Sequence, residues 1–307
     1  MKSSPAVSVV VPVYNGGLTI SETIQSLLEQ SYGPQEIIVV DDGSTDDTAE
    51  VLKGFGDKIK VISKSNSGPA SARNCGIRAS TGEFIAFTDS DCVPDKEWLS
   101  NLLGGFSDDK VAGTGGIVRG ADTTALSDYM DLVRYLDPAR TASGQVGYLA
   151  TANACFRRNV LIEVGLFNEQ FRKPGAEDSE LCIKIRARGY ELGAVDGALV
   201  LHYHKPTVKV FLKTMMNYGE GRYILEKAWP ELAERDTYQP KRLLQQVLAV
   251  RNMFRQTLVY RPSYGIKKAL LFSFLDHYGR AANIWGYLRS KKRDDRSSTD
   301  ERPYSRP

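Results

Sequence analysis

Polar side chains follow three of the apolar segments in the first hundred residues. They are Tyr14 and Asn15 after the first segment, which carries Pro12 near its end, Asp41 and Asp42 after the second, and Asp89, Ser90 and Asp91 after the fourth. Each group alone is ordinary turn chemistry, because Asp, Asn, Ser and Gly favour turns. In an open parallel sheet, however, ligands bind beyond the carboxyl ends of the strands. Three polar strand ends at one edge therefore predict a binding site.

Asp89 and Asp91 directly follow the apolar run Phe84–Phe87. Alternate residues of an extended chain point to the same side, so both carboxylates can face one ion. Mg²⁺ and Mn²⁺ prefer oxygen ligands and often join carboxylates to substrate phosphates. The other interpretation is a turn with solvated carboxylates, but the apolar strand before the pair favours a metal site.

Glu177 and Asp178 stand at the start of a predicted helix, Asp178–Arg188. Carboxylates at a helix N-terminus are favourable in themselves, since they complement the helix dipole. A general base held at the mouth of a site would have the same position. The residues alone favour neither interpretation.

His202 and His204 alternate on a predicted strand, Ala198–His204, and therefore share one face. A neutral imidazole from either residue can complete a metal site. For a single histidine, hydrogen bonding in the core is the more common arrangement.

Strand and helix signals alternate through the first hundred residues. Strands are predicted over Val7–Val13, Glu36–Val40, Lys58–Ser63 and Phe84–Thr88, with helices after Thr19, over Thr45–Lys53 and from Pro69. This order predicts an α/β fold, a mostly parallel sheet with helices on both faces. Later strands are predicted over Val111–Val118 and Thr151–Phe156, and later helices over Glu97–Leu103, Leu126–Leu136, Val208–Ala228, Arg242–Leu258 and Tyr264–Leu288.

The composition is that of a globular protein, with 42% hydrophobic and 25% charged residues among 307. No apolar run approaches the roughly 18 residues of a spanning helix, and Pro12 and Asn15 interrupt the first run, so we expect neither a membrane span nor a signal peptide. The four cysteines lack the CxxC spacing of metal or redox sites. We expect reduced thiols in a cytoplasmic protein.

Four segments match the motifs of one known family in order and in spacing. They are VSVVVPVYNGG, VVDDGSTDDT, NSGPASARNCGIRASTGEFIAFTDSD and GAEDSELCIKIRARGY. Together they resemble glycosyltransferase family 2 on a GT-A fold over residues 7–222. The resemblance implies inverting transfer of a sugar from a nucleotide diphosphate sugar, with a UDP-sugar as the first expectation. It also implies Mn²⁺ or Mg²⁺ as cofactor, and a glycan or lipid-linked acceptor of the kind used for bacterial surface polysaccharides.

The resemblance assigns roles residue by residue. Tyr14, Asp41 and Asp42 hold the nucleoside, Arg73 lies near the base and phosphates, and Pro12, Asn15, Asn66, Asp89 and Ser90 complete the donor site. Asp91 contacts the metal, Asp89 contacts the metal or the ribose, and His202 is preferred over His204 as a further ligand. Asp178 deprotonates the acceptor hydroxyl, with Glu177 next in line.

One departure from the family concerns chain extension. The QxxRW motif of processive polysaccharide synthases is absent, and the comparable place holds the segment around Arg222. This absence favours the addition of a single sugar. Arg222 is interpreted either as a contact to the diphosphate or acceptor, or as a surface ion pair.

Three other functional classes are weaker interpretations. A sugar nucleotidyltransferase would need a basic, glycine-rich loop after the first strand, where this chain reads Tyr14-Asn-Gly-Gly-Leu. A non-catalytic sugar-nucleotide sensor would not need Asp178. The basic C-terminal part permits nucleic-acid binding, but nucleic acid is not an expected partner because a membrane surface explains the same charge.

The charge divides the chain into two parts. Residues 1–204 have a balance of −8, and residues 205–307 have +11. We predict a GT-A catalytic domain over 1–230, a helical extension over 231–290 and a basic tail without regular structure over 291–307. The segment Tyr264–Leu288 mixes apolar, aromatic and basic residues, which suits contact with the inner face of the cell membrane. Packing of the aromatic residues on the catalytic domain, with a solvated basic tail, is the alternative.

Overall fold

A run of β-branched residues, Val7–Val13, forms a central strand, β1, in the computed structural model, which describes residues 5–204, 207–230 and 250–299. The other strands are β2 Glu36–Asp41, β3 Lys60–Ser63, β4 Phe84–Phe87, β5 Cys92–Pro94, β6 Val111–Gly120, β7 Ala139–Arg140, β8 Val146–Tyr148, β9 Ala154–Arg157 and β10 Glu191–His202. The helices are α1 Ile20–Leu28, α2 Thr48–Lys53, α3 Pro69–Ala79, α4 Trp98–Gly104, α5 Ala125–Val133, α6 Arg158–Glu163, α7 Glu177–Ala187, α8 Val208–Ala228 and α9 Val250–Thr299.

The chain divides into two compact units. The first comprises residues 1–172 and 177–204, and the second comprises 173–176 and 205–307. The first unit contains an eight-stranded sheet in the order β3-β2-β1-β4-β9-β6-β10-β5. β9 and β5 pair antiparallel with their neighbours, whereas the other pairings in this sheet are parallel. The predicted mostly parallel α/β sheet is confirmed.

Alternation along β1 builds a core on each face of the sheet. Val9 and Val11 pack in one cluster with residues of α1, α2 and α4. Val10 points the other way and packs with residues of α3, α6 and α7. All three valines have no exposed surface. A valine-rich strand buried on both faces is the expected centre of a layered α/β unit.

The predicted β1, β2, β4 and α3 are confirmed to within one residue at each end. Two later predictions need correction. The strand predicted over Ala198–His204 belongs to the longer β10, whose register shifts between Ala194 and Leu199, but β10 ends at His202 and leaves His204 outside the strand. In the predicted strand Thr151–Phe156, residues Thr151–Asn153 form a 3-10 turn instead, and the strand begins at Ala154.

In the second unit, Val208–Ala228 and Val250–Thr299 are helical, and the helix predicted over Val208–Ala228 is confirmed with the same bounds. The helix α9 breaks at Gly265, whose φ of 72° is not helical, so α9 consists of two helices. The helix continues to Thr299, and the prediction of a structureless tail is therefore wrong over 291–299. Asp294 explains the difference, because it accepts hydrogen bonds from Lys227 and Tyr223 of α8 at 2.8 Å. Residues 231–249 and 300–307 lie outside the described residues. Among the described helices, none combines the length and the apolar character needed to cross a membrane.

Gly76 on α3 allows that helix to approach β1 closely. A Cβ atom at this position would lie 2.3 Å from Cγ1 of the buried Val10. We expect Gly76→Ala to lower the free energy of unfolding by roughly 1–3 kcal/mol, as overpacking of a filled core does. Gly104→Ala is the matched control, since no atom lies within 4 Å of its added Cβ. Urea denaturation followed by circular dichroism measures both variants, and equal midpoints would contradict the close packing.

Candidate active site

Arg73 on α3 is the centre of the candidate site. Its side chain is only 5% exposed, and Nη2 donates to Asp89 Oδ1 at 2.9 Å. Nη1 donates to Glu177 Oε1 at 3.1 Å and lies 3.9 Å from Asp178 Oδ1. Asp89 follows β4, whereas Glu177 and Asp178 form the first turn of α7. Three predicted site segments that are far apart in the sequence therefore meet at one buried cation.

The charges of this cluster depend on one another. Burial disfavours the charge of Arg73, but Asp89, Asp178 and Glu177 outweigh burial and raise its pKa. The guanidinium is consequently charged throughout the physiological range. It neutralises part of the acidic cluster and fixes the relative positions of the three carboxylates.

Asp178 is the carboxylate of this cluster that is suited to proton transfer. Its Oδ2 accepts from the Thr151 N–H at 3.1 Å, and its Oδ1 accepts from the Thr151 hydroxyl at 2.9 Å. Burial and the Glu177 carboxylate raise the pKa of Asp178 to about 7, against the opposing effects of Arg73 and the Thr151 N–H. The Asp178 side chain is 16% exposed, compared with 5% for Glu177. Asp178 is therefore the more accessible of the two acids.

Asp91 and His202 form a second cluster at one end of the sheet. Antiparallel pairing of β5 with β10 sets His202 opposite Cys92. His202 Nε2 lies 3.3 Å from Asp91 Oδ1, and the ligand atoms of Asp91, Cys92 and His202 lie within 4.8 Å of one another. His202 Nδ1 is 2.8 Å from Nδ1 of His204, which confirms that the two histidines share one face.

The donor atoms of Asp91 and His202 fit a divalent cation. A carboxylate oxygen and an imidazole nitrogen suit Mn²⁺, and the carboxylate also suits Mg²⁺. Burial, followed by the charges of Asp91 and Asp89, raises the pKa of Cys92 well above its usual value. Mg²⁺ and Mn²⁺ prefer oxygen ligands to sulfur, so Cys92 is the least suited of the three groups to these cations. Asp89, predicted as the other carboxylate of a metal pair, forms an ion pair with Arg73, and its contact to a metal or to the ribose stays a prediction.

Asp42 organises the loop between β3 and α3. Its Oδ1 accepts from Lys64 Nζ at 2.6 Å and from the Ser67 N–H at 3.0 Å. Its Oδ2 accepts from the N–H groups of Ser67 and Gly68 at 3.1 and 2.8 Å. Asp41 beside it is also buried, and its Oδ1 accepts from the Ser44 N–H. The sequence predicted both acids as nucleoside ligands, yet Asp42 already shapes the protein with both oxygens.

Of the remaining predicted donor residues, Pro12 lies within β1, and the others lie on the loops that follow β1, β3 and β4, near the loop after β2. Asn15 joins two of these loops, because its N–H donates to the Ser44 hydroxyl and its Oδ1 accepts from the Thr45 N–H. Tyr14 is 53% exposed and Asn66 is also exposed, whereas Pro12 and Ser90 are half-buried. The Ser90 carbonyl accepts from two threonine hydroxyls of the α1 region.

Arg222 lies on α8 in the second unit. Its Nε donates to Glu226 Oε1 at 2.9 Å, one helical turn further on. An intrahelical ion pair is thus present, as the second interpretation of this residue predicted. A contact to the diphosphate or acceptor remains a prediction.

Sequence reasoning missed Thr151 and Lys64. Thr151 positions Asp178, and Lys64 neutralises Asp42. Neither residue stands in a spacing typical of catalysis, and each reaches its partner only through the folded backbone. In the sequence, the position of Asp42 directly after an apolar strand was the only signal that a cation would be needed nearby. A carboxylate that is buried there requires a partner.

The family comparison covers half of the chain. The chain matches the family described as glycosyl transferase family 2 over residues 8–165, and it belongs to that family. The pre-mycofactocin glycosyltransferase of Mycobacterium tuberculosis is 33% identical over 223 residues, which is 69% of this chain and 46% of that protein. The chain thus spans about half the length of this curated relative.

Solved structures confirm the predicted GT-A fold. The mannosyltransferase PcManGT from Pyrobaculum calidifontis, in complex with GDP-Man and Mn²⁺, superposes with a TM-score of 0.61 at 20% identity, covering 98% of this chain and 77% of that chain. Glucosyl-3-phosphoglycerate synthase from Mycobacterium tuberculosis, in complex with Mn²⁺, UDP and glucosyl-3-phosphoglycerate, gives a TM-score of 0.54 at 22% identity, covering 74% and 80%.

The hydrogen bonds of Asp42 predict a structural role that does not depend on any ligand. We expect Asp42→Asn to lower the free energy of unfolding by about 2–3 kcal/mol. The amide NH₂ of asparagine would face the hydrogen-bond donors that now bond to the carboxylate, and Lys64 would lose its anionic partner. Asp57→Asn, at an exposed position, is the control and should change stability by less than about 0.5 kcal/mol. If the two variants unfold at the same urea concentration, Asp42 does not hold the loop.

Proposed function

We propose that this protein transfers a sugar from a nucleoside diphosphate sugar to a hydroxyl group, with inversion at the sugar carbon and with help from a divalent cation. Membership of glycosyltransferase family 2 supports the reaction class. The observation that carries the proposal is the link through Arg73, which joins Asp89 of the segment Asp89-Ser90-Asp91 to the Glu177–Asp178 pair. This link ties the predicted metal-binding loop to the predicted base.

Asp91 and His202 are the proposed ligands of Mn²⁺ or Mg²⁺. A bound cation would neutralise charge on the leaving diphosphate. Both fold relatives described above carry Mn²⁺ together with a nucleotide, which supports the same arrangement here. We propose a UDP-sugar as donor. The exposed ring of Tyr14, at the carboxyl end of β1, offers a surface on which the base can stack.

Asp178 is the proposed general base. The acceptor hydroxyl gives its proton to the Asp178 carboxylate while its oxygen forms a bond to the anomeric carbon. The bond from that carbon to the diphosphate oxygen breaks, and the nucleoside diphosphate leaves with the electron pair. One displacement inverts the configuration, and no covalent intermediate with the protein is required. We propose a glycan or a lipid-linked saccharide as the acceptor.

A sugar nucleotidyltransferase is the alternative reaction on a similar fold. That reaction would release pyrophosphate, whereas sugar transfer releases a nucleoside diphosphate. The loop after β1 has no basic residue to hold a triphosphate, which favours sugar transfer. Assays of the two products from the same reaction mixture distinguish the two functions directly.

The proposed cation ligands predict metal-dependent nucleotide binding. We expect Mn²⁺ to strengthen the binding of UDP, used as the probe, and Asp91→Asn or His202→Ala to remove most of this gain. The loss should exceed the roughly 10–100-fold that removal of a supporting partner costs. His204→Ala should weaken the metal effect less than His202→Ala does. Calorimetry with and without Mn²⁺ measures these affinities, and an unchanged metal effect in both ligand variants would refute the site.

The pKa of Asp178 predicts the acid limb of the pH profile. The base acts only when deprotonated, so kcat/KM should rise with pH through about 7, the pKa of Asp178. Asp178→Asn should lower kcat by roughly 10²–10⁴-fold and remove this limb while donor affinity is retained. Glu177→Gln is the comparison variant. A profile that is flat across this range, or a limb that persists in Asp178→Asn, would assign the base to another residue.

A further inference from the structure

We propose that the second unit docks on an anionic lipid bilayer through a surface at the break of α9. This basic apolar surface is defined by the exposed apolar residues Phe254, Leu258, Val259, Ile266 and Leu270 and the exposed basic residues Arg255, Arg261 and Lys267, with Lys268 on the adjoining side of the same helical turn. It lies in a different unit from the candidate active site, and the proposal does not rest on the transfer reaction.

The apolar part of this surface is exposed to an unusual degree. The exposed fractions are 61% for Phe254, 66% for Leu258, 61% for Val259, 52% for Ile266 and 46% for Leu270. Phe254 and Leu258 are four residues apart in the helix before the break, and Ile266 and Leu270 are four apart in the helix after it. Residues with this spacing lie on the same side of a helix, so each helix presents an apolar stripe. Large apolar side chains grouped in this way mark an interaction site.

The charge of the same segment identifies the partner. From Asn252 to Leu275 the sequence has four basic residues and no acidic residue. The four cations, Arg255, Arg261, Lys267 and Lys268, are all exposed. Such a surface repels a second copy of itself, because like charges would meet. Anionic lipid headgroups complement the cations, and the acyl region beneath them accepts the apolar side chains.

Internal contacts hold the surface in place. The Thr257 hydroxyl donates to the Ser273 hydroxyl at 2.9 Å, and the Tyr260 hydroxyl donates to Asp276 Oδ2 at 2.5 Å, so the helices on both sides of Gly265 are joined. The polar side chains therefore face inward at this junction, while the apolar side chains listed above remain exposed. Phe272 is buried against Tyr260 and Tyr264, so the two helices bury part of their apolar surface here and leave the group listed above exposed.

The proposed surface overlaps only in part with the segment Tyr264–Leu288 that the sequence suggested for membrane contact. Of the apolar residues in Tyr264–Leu288, the side chains of Phe272, Leu275 and Ile284 are buried, as the packing alternative required. The exposed group extends instead across the break into the preceding helix, to Phe254. The segment that the sequence suggested includes Ile266 and Leu270 of the proposed surface but not Phe254, Leu258 and Val259.

Vesicle flotation with the full chain tests the proposal. The probes are vesicles of phosphatidylcholine alone and of phosphatidylcholine mixed with phosphatidylglycerol, each over a series of salt concentrations. We expect binding to the anionic vesicles that weakens as salt increases. Lys267→Gln with Lys268→Gln should reduce partitioning about 30-fold, since each basic residue contributes about 1 kcal/mol at an anionic surface. Lys291→Gln with Lys292→Gln is the matched control, with equal charge loss at exposed positions of the same helix, and should retain wild-type partitioning.

A second variant separates the apolar contribution from the charge. Leu258→Ser with Ile266→Ser should reduce partitioning about tenfold or more at every salt concentration, because apolar burial is not screened. Circular dichroism establishes that each variant is folded. Absence of binding to either vesicle, equal binding to neutral and anionic vesicles, or equal losses in the two lysine pairs would overturn the proposal. Self-association of the wild type that Leu258→Ser abolishes in sedimentation experiments would assign the surface to a second copy and would also overturn it.

Discussion

The buried guanidinium of Arg73 is the interaction on which the candidate site depends. It lies between Asp89 from the end of β4 and the Glu177–Asp178 pair from the start of α7. Its positive charge offsets the acidic groups around it, and its two Nη atoms donate to Asp89 and Glu177. Removal of one partner from a buried ion pair typically costs about 3–5 kcal/mol, because the other charge is left uncompensated. The same residue therefore supports the fold of this region and sets the electrostatics of its chemistry.

Strand direction explains how the second cluster forms. β10 is parallel to β6, so its carboxyl end, with His202, lies at the same edge of the sheet as the carboxyl ends of the parallel strands. β5 runs antiparallel to β10 and begins where β10 ends, which sets Cys92 opposite His202. Asp91 immediately precedes β5 and so reaches His202 without a long loop. Asp91 and His202 are far apart in the sequence, and this strand arrangement makes them neighbours.

The acidic residues of this edge differ in their environments and so in their functions. Asp42 accepts hydrogen bonds from Lys64 and from backbone N–H groups, and these contacts give it a structural function. Asp178 is placed beside another carboxylate, and burial together with Glu177 raises its pKa to about 7. Asp42 and Asp178 have the same side chain, and their different environments make one a structural residue and the other a residue suited to proton transfer.

The sequence by itself determined the layered α/β fold, the sheet edge at which the polar residues gather and the family. Apolar strands with a period of two and motifs in a fixed order are local features, so they can be recognised from the sequence. It did not show that Asp89 forms an ion pair with Arg73, that Thr151 orients Asp178, or that β10 begins at Glu191. It also missed the exposed apolar residues before Gly265, because exposure depends on which face the neighbouring helix covers. Each of these facts is a contact between residues distant along the chain, and only the tertiary structure, which fixes those distances and the burial that shifts the pKa of Asp178, could decide them.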